Sequence, residues 1–267
     1  MHKNLQTIHE NINTDMATLD DWFKANKLSL NISKTNYVIF RPSNRILPDV
    51  GFDLNIGLDK IERKSSVKFL GMVLDENLKW SPQIQHVGAK MYKSHYLINS
   101  LKTVLPRSEL KTLYYTMIYP YLTYGIEVWG SAQKEILNKI NVLQRKVVRC
   151  IGRAKYNDHA LPIFKSMHFL QLNDIYELHV LKYMHAYIQK DLPSPIIQLF
   201  TRNTEIHDHN TRQNVNPHVQ IRHTSSAAKS IVHCGPMLWS KLPNNLKTTC
   251  SKKAFIKRYK KHILTNY

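Results

Sequence analysis

Cysteine is scarce: the 267 residues hold three, Cys150, Cys234 and Cys250, with no paired spacing. That argues against a disulfide framework and suggests a reducing compartment, so an intracellular setting, cytoplasmic, nuclear or both, is expected. Residues 1–15 alternate polar and apolar with no apolar h-region, so no secretory signal is read there. The longest uncharged run lies between Lys111 and Glu127. It falls short of the ~20 residues a membrane span needs, and it contains Pro120. No membrane partner is expected. Metal-ligand spacing is missing too. His207-Asp208-His209, His233-Cys234 and Cys250 gather in the last third, but neither C-x₂-C nor H-x₃₋₅-H completes a zinc set. Acid is the last scarcity, 19 Asp/Glu against 38 Lys/Arg, for a net charge of +19.

The charge is uneven. Residues 1–80 carry 11 Lys/Arg against 10 Asp/Glu, residues 81–156 carry 12 against 3, and residues 157–267 carry 15 against 6. On a chain with 43% apolar residues, ordinary for a folded protein, this gradient suggests an extended polyanion held by the second two-thirds. A soluble basic protein with scattered surface lysines is the plainer alternative. An anionic membrane fits less well, because no segment joins a broad apolar face to a basic one.

Apolar residues Ile8, Ile12, Met16, Leu19 and Phe23 recur at steps of three and four, so residues 3–25 are expected to form an amphipathic helix. Asp20-Asp21 falls inside that pattern and reads as a solvated helix face rather than a metal-holding pair. Leu28, Leu30 and Ile32 alternate as in a half-buried strand, Ser33-Lys34-Thr35-Asn36 turns, and Tyr37–Phe40 reads as a buried strand ended by Pro42. Strands near 54–62 and 66–74 suggest a hairpin, with Gly71 as a mid-strand bulge or close approach. From Trp80 the pattern turns helical: Ser81-Pro82 opens one helix, Pro106-Ser108 the next, a third spans roughly 132–152, and Leu161–Ile188 holds two shorter ones. Residues 190–222 are polar and weakly periodic, as in a mobile linker, and helical pattern returns over 223–265 with breaks at Cys234-Gly235-Pro236 and Leu242-Pro243. The expected class is α+β, a short antiparallel sheet near the N-terminus followed by a mostly helical region.

Six segments carry a resemblance: WFKANKLSLNISKTNYVIF (22–40), KFLGMVLDENLKW (68–80), LYYTMIYPYLTYGIEVWG (113–130), LQRKVVRCI (143–151), HNTR (209–212) and GPMLWSKLPNNLK (235–247). In this order the chain resembles the C-terminal part of a non-LTR, LINE-type, jockey-like retrotransposon reverse transcriptase. The resemblance implies the end of the palm over 1–78, a helical thumb over 79–156 and a basic helical C-terminal region over 157–267. The parent activity would be RNA-directed DNA synthesis by two-metal phosphoryl transfer with Mg²⁺, on RNA and DNA as template–primer duplex. The family's preceding motif, an aromatic residue, a small residue and two aspartates, is absent from this sequence. The expectation is therefore a chain that holds no cofactor by itself, binds template–primer and does not polymerise. The alternatives are a retained non-enzymatic RNA- or DNA-binding protein and a decayed fragment.

By the same resemblance Lys34 stands at the palm lysine thought to help protonate the leaving pyrophosphate. Alone it reads as a solvent-exposed turn lysine. Phe69, Leu70 and Gly71 match the primer-grip hairpin, with plain core packing an equal reading. Arg145, Arg149 and Arg153 fall at i, i+4 and i+8, off the apolar stripe of the third helix, either to follow phosphates or as a solvated basic face. The thumb resemblance favours phosphates. The last helix, from Lys252-Lys253 through Arg258 to Lys260-Lys261, is basic on several faces and should add salt-sensitive affinity. The tyrosines of 114–124 and Trp129 read as core more readily than as stacking platforms.

Overall fold

The computed structural model describes residues 5–44, 52–206, 216–249 and 251–267. The chain divides into two compact units, Met1–Gln83 and Ile84–Tyr267, with small sheets confined to the first and helices filling the second.

In the first unit, α1 (Leu5–Ala25) carries Ile12 and Met16 against the buried cluster Leu54, Ile56 and Ile61. The packing is backed by polar contacts. His9 Nε2 lies 2.7 Å from the Asp53 carbonyl, and the Asn55 amide donates to Asn13 Oδ1 at 3.2 Å. Six short strands follow: β1 (Asn36–Tyr37), β2 (Asn55–Ile56), β3 (Asp59–Lys60), β4 (Glu62–Arg63), β5 (Ser66–Phe69) and β6 (Met72–Asp75). They pair as parallel β1–β4 and as the antiparallel hairpins β2–β3 and β5–β6.

Three sequence expectations need correction here. Residues 28–32 form no strand. Asn31 instead caps a 3₁₀ turn at Ile32–Lys34, its Oδ1 accepting the Lys34 amide at 3.2 Å and the Ser33 hydroxyl at 2.7 Å. Such local side-chain bonds compete with a sheet ladder. The strand foreseen at 37–40 stops after Tyr37, and Phe40 is exposed. Gly71 is no mid-strand bulge: with φ values of +45° and +83°, Leu70 and Gly71 are the two central residues of the β5–β6 turn, where both must be left-handed.

The second unit begins within α2 (Ser81–Leu101) and continues through α3 (Arg107–Met117), α4 (Tyr119–Thr123), α5 (Ile126–Trp129) and α6 (Lys134–Gly152). Next come α7 (Leu161–Met167), α8 (Leu172–Ile188), α9 (Ser194–Ile197), α10 (Ser225–Ala228), α11 (Ile231–Lys241), α12 (Asn244–Lys247) and α13 (Lys252–Thr265). Helix α8 buries residues on every side, as a central helix must, and α4, α5, α6, α11 and α13 pack on it. The buried Gln144 amide ties the unit together. Its Nε2 donates to Tyr114 Oη and the Leu170 carbonyl, both at 2.9 Å, and its Oε1 accepts the Leu172 amide at 3.0 Å.

One more expectation changes. Cys234-Gly235-Pro236 lies inside α11, not at a break. A Cβ on Gly235 would stand 2.6 Å from Met184 Sδ, so the glycine lets α11 approach α8. In the described part of 190–222, Phe200 is buried against Tyr183 and Tyr187, and the His218 amide donates to the Thr201 carbonyl at 2.8 Å. His207-Asp208-His209, the HNTR segment and Cys250 lie outside the described residues.

Candidate nucleic-acid interface

Lys34 sits exposed on the Asn31-capped turn. Three carboxylates of its unit make contacts of their own. Asp20 pairs with Lys24 at 2.6 Å on the α1 surface. Asp75 accepts the backbone amides of Lys79 and Trp80 at 3.0 and 2.8 Å, shaping the turn after β6. Glu76 is shared by Arg41 and Arg63 at 2.9 and 3.4 Å. Among the described residues, no group of three or more His, Cys, Asp or Glu could hold a metal ion.

The Phe69-Leu70-Gly71 tip is apolar and open to solvent, with Phe69 58% and Leu70 73% exposed. Leu70 holds a left-handed conformation that an L side chain with a Cβ adopts only at a cost of about 1 kcal/mol or more. An exposed, strained apolar tip is a feature that a partner surface would explain.

The three arginines of α6 have separate surroundings. Arg145 is exposed. Arg149 Nε donates to the Asp158 carbonyl at 2.8 Å. Arg153, in a left-handed conformation at the end of α6, donates to the Lys102 and Leu105 carbonyls at 3.1 and 2.9 Å. Arg107 returns the contact by donating to the Gly152 carbonyl at 3.0 Å. Arg107 and Arg153 thus satisfy the carbonyls left over where helices end.

Sequence reasoning missed the open face of α2. Ile84, Val87, Met91 and Ile98 are buried, while Tyr92 and Tyr96, one turn apart, are 67% and 75% exposed with Lys93 between them. Their i, i+4 spacing off the apolar stripe was the available signal. Aromatic faces beside an ammonium group are what stacking on bases and pairing with phosphates require. His95, half-buried on the same helix, is held less basic than usual, first by burial and then by Lys146 and Lys102. The tyrosines of 114–124 divide differently: Tyr114 and Trp129 are core, whereas Tyr124 lies at the surface.

At the C-terminal end, Lys252 and Lys253 are exposed in the first turn of α13, which holds no acid to balance them. Arg258 donates to Thr249 Oγ1 at 3.1 Å. Further along the helix, a cleft of about 620 Å³ is lined by Lys257, Lys260 and Lys261 together with Lys165 and His168 at the end of α7, and by Tyr115 of α3.

These arrangements can be set beside known proteins. The chain is 25% identical over 172 residues to a probable RNA-directed DNA polymerase from transposon BS of Drosophila melanogaster. That match covers 63% of this chain and 19% of the relative. It is 28% identical over 134 residues to the probable RNA-directed DNA polymerase from transposon X-element of the same organism, covering 49% and 14%. The RNA-directed DNA polymerase from the mobile element jockey, also of D. melanogaster, is 29% identical over 178 residues, covering 63% and 18%. The chain is similar to non-LTR retrotransposon RNA-directed DNA polymerases. It spans less than a fifth of the length of these relatives. No family model and no solved structure matches it. No helix of the described residues is long and apolar enough to cross a membrane.

Proposed function

We propose that this chain is a reverse-transcriptase-derived piece, palm end, thumb and C-terminal region, that holds template–primer nucleic acid and does not itself polymerise. The similarity to three retrotransposon RNA-directed DNA polymerases carries the reading. The positive balance of residues 81–267 and the Tyr92/Lys93/Tyr96 face of α2 support it, since a polyanion of stacked bases is bound by cations and aromatic faces together. The inability to polymerise follows from the missing aspartate pair in the sequence. The cytoplasm or nucleus, where template is found, is the setting for this role. The complete packing of the second unit around Gln144 favours a folded binding protein over a decayed fragment.

The test is fluorescence anisotropy with a labelled RNA–DNA hybrid that carries a single-stranded template overhang, across a salt series. Binding is expected, with log affinity falling linearly in log salt, and Tyr92→Ala with Tyr96→Ala should weaken it by roughly 2–4 kcal/mol if both rings stack. No binding at low salt overturns the reading. Extension of oligo-dT on poly(rA) with Mg²⁺ by the purified chain overturns its second half.

A further inference from the structure

Lysines that line one cleft set like charges side by side, an arrangement that a bound anion relieves. The cleft between α7 and α13 has this character. Lys257, Lys260 and Lys261 recur at steps of three and one along a single face of α13, and Lys165 reaches the same space from α7. Among the described residues no Asp or Glu forms an ion pair with any of the four. Lys165 Nζ donates at 2.7 Å to a main-chain oxygen of Tyr267, the last residue of this chain, so it faces a carboxylate oxygen there and keeps two further N–H groups. Lys260 is half-buried, and burial holds it less basic than a free lysine. The positive field extends to α8, where Lys182 is made less basic by burial and then by Lys252 and Lys260, against the pull of Glu127.

We propose that this cleft is a phosphate-binding site that grips consecutive backbone phosphates of a single-stranded nucleic acid, with Lys165, Lys257, Lys260 and Lys261 as its cations. The proposal rests on the nucleic-acid reading given above and adds to it a second anchor at the far end of the chain. A membrane surface is the other polyanion such a cluster could meet. It fits less well, because Phe255, Tyr259 and Ile263 of α13 are buried and only Ile256 and Leu264 stay half-buried, too little for the broad apolar face a bilayer needs.

The experiment uses the full chain and a fluorescent 20-nucleotide single strand, comparing wild type with Lys257→Gln/Lys261→Gln, both exposed positions whose loss should leave the thermal midpoint unchanged. Affinity near 100 mM salt should fall about tenfold and the salt slope should lose ~1.4, the value for two phosphate contacts on a single strand. Lys190→Gln/Lys229→Gln makes the same charge change elsewhere and should alter affinity by no more than about twofold, since screening isolates distant charges. Lys257→Arg/Lys261→Arg should bind as wild type does. If Lys257→Gln/Lys261→Gln keeps wild-type affinity and slope, the cleft is overturned while the nucleic-acid reading stands. A wild type that binds no oligonucleotide overturns both. Loss confined to binding of anionic phospholipid vesicles, with oligonucleotide binding intact, also overturns the proposal.

Discussion

In the first unit the buried cluster consists of Leu54, Ile56 and Ile61, and the residues around it, Ile12, Met16, Leu30, Ile32, Tyr37 and Phe52, remain partly open. Four of its six strands are two residues long. Ladders that short contribute few backbone bonds, so the unit leans on single side-chain contacts such as His9 to Asp53 and Tyr37 Oη donating to the Phe52 carbonyl. The second unit buries Trp129, Trp239, Tyr114, Phe164, Phe169 and Phe255 almost completely, with Trp129 Nε1 donating to the Tyr124 carbonyl and Tyr114 Oη accepting from Gln144, both at 2.9 Å. The charge divides the same way: the first 80 residues are nearly balanced, and the rest carries the excess. The comparison teaches that the basic second unit has its own large core, whereas the first unit is held by a thin one.

The sharpest break of that contrast is Gln144→Leu. The substitution keeps the volume close but strands Tyr114 Oη, the Leu170 carbonyl and the Leu172 amide inside the core. At about 1–3 kcal/mol per stranded group, with partial relaxation, a loss of roughly 3 kcal/mol is expected. Chemical denaturation should show it in the major, cooperative transition of the helical unit. A loss below about 0.5 kcal/mol would mean that the network contributes nothing beyond filling space.

Next in size is Ile61→Ala, expected to cost about 2 kcal/mol, the low end for a core truncation because the surrounding residues can collapse. Its signature is local. Native-state hydrogen exchange should speed up at the amides of β2–β4 and leave α8 unchanged. Equal acceleration in α8 would show that the two units unfold together and would erase the contrast.

How far the sequence could be read follows the same division. Helices α1, α2 and α6 were legible because their apolar residues recur at helical spacing over several turns. The N-terminal strands were misread where Asn31 captured the backbone for a local turn and where Leu70-Gly71 turned the chain, since alternation alone does not reveal either event. Within the candidate interface, Arg145, Arg149 and Arg153 were legible as one stripe, but periodicity does not show that Arg153 ends up on two carbonyls of another segment. Lys165 joins Lys257, Lys260 and Lys261 only through tertiary packing across some ninety residues, which no local pattern records.

The smallest expected effect concerns two carboxyls of α8 in the second unit. Asp174 accepts a hydrogen bond from the Tyr267 hydroxyl, and Glu177 accepts one from Tyr259 at 3.2 Å. Both carboxyls are nevertheless held above the usual carboxylate range, first of all by burial, with Tyr267 and the Gln171 backbone easing Asp174, and Tyr259 and Lys241 easing Glu177. His262 lines the same cavity. A carboxyl with a raised folded pKa binds its proton more tightly in the native state than in the unfolded one. Its contribution is therefore intact below the unfolded pKa and is lost as pH rises through the folded one. Asp174→Asn with Glu177→Gln keeps an acceptor for each tyrosine and removes the titration. The melting temperature of the double variant relative to wild type should accordingly climb between pH 4 and pH 7, by a few degrees at most. A difference that stays flat, or shrinks toward neutrality, would show that the tyrosine hydroxyls fully compensate both charges.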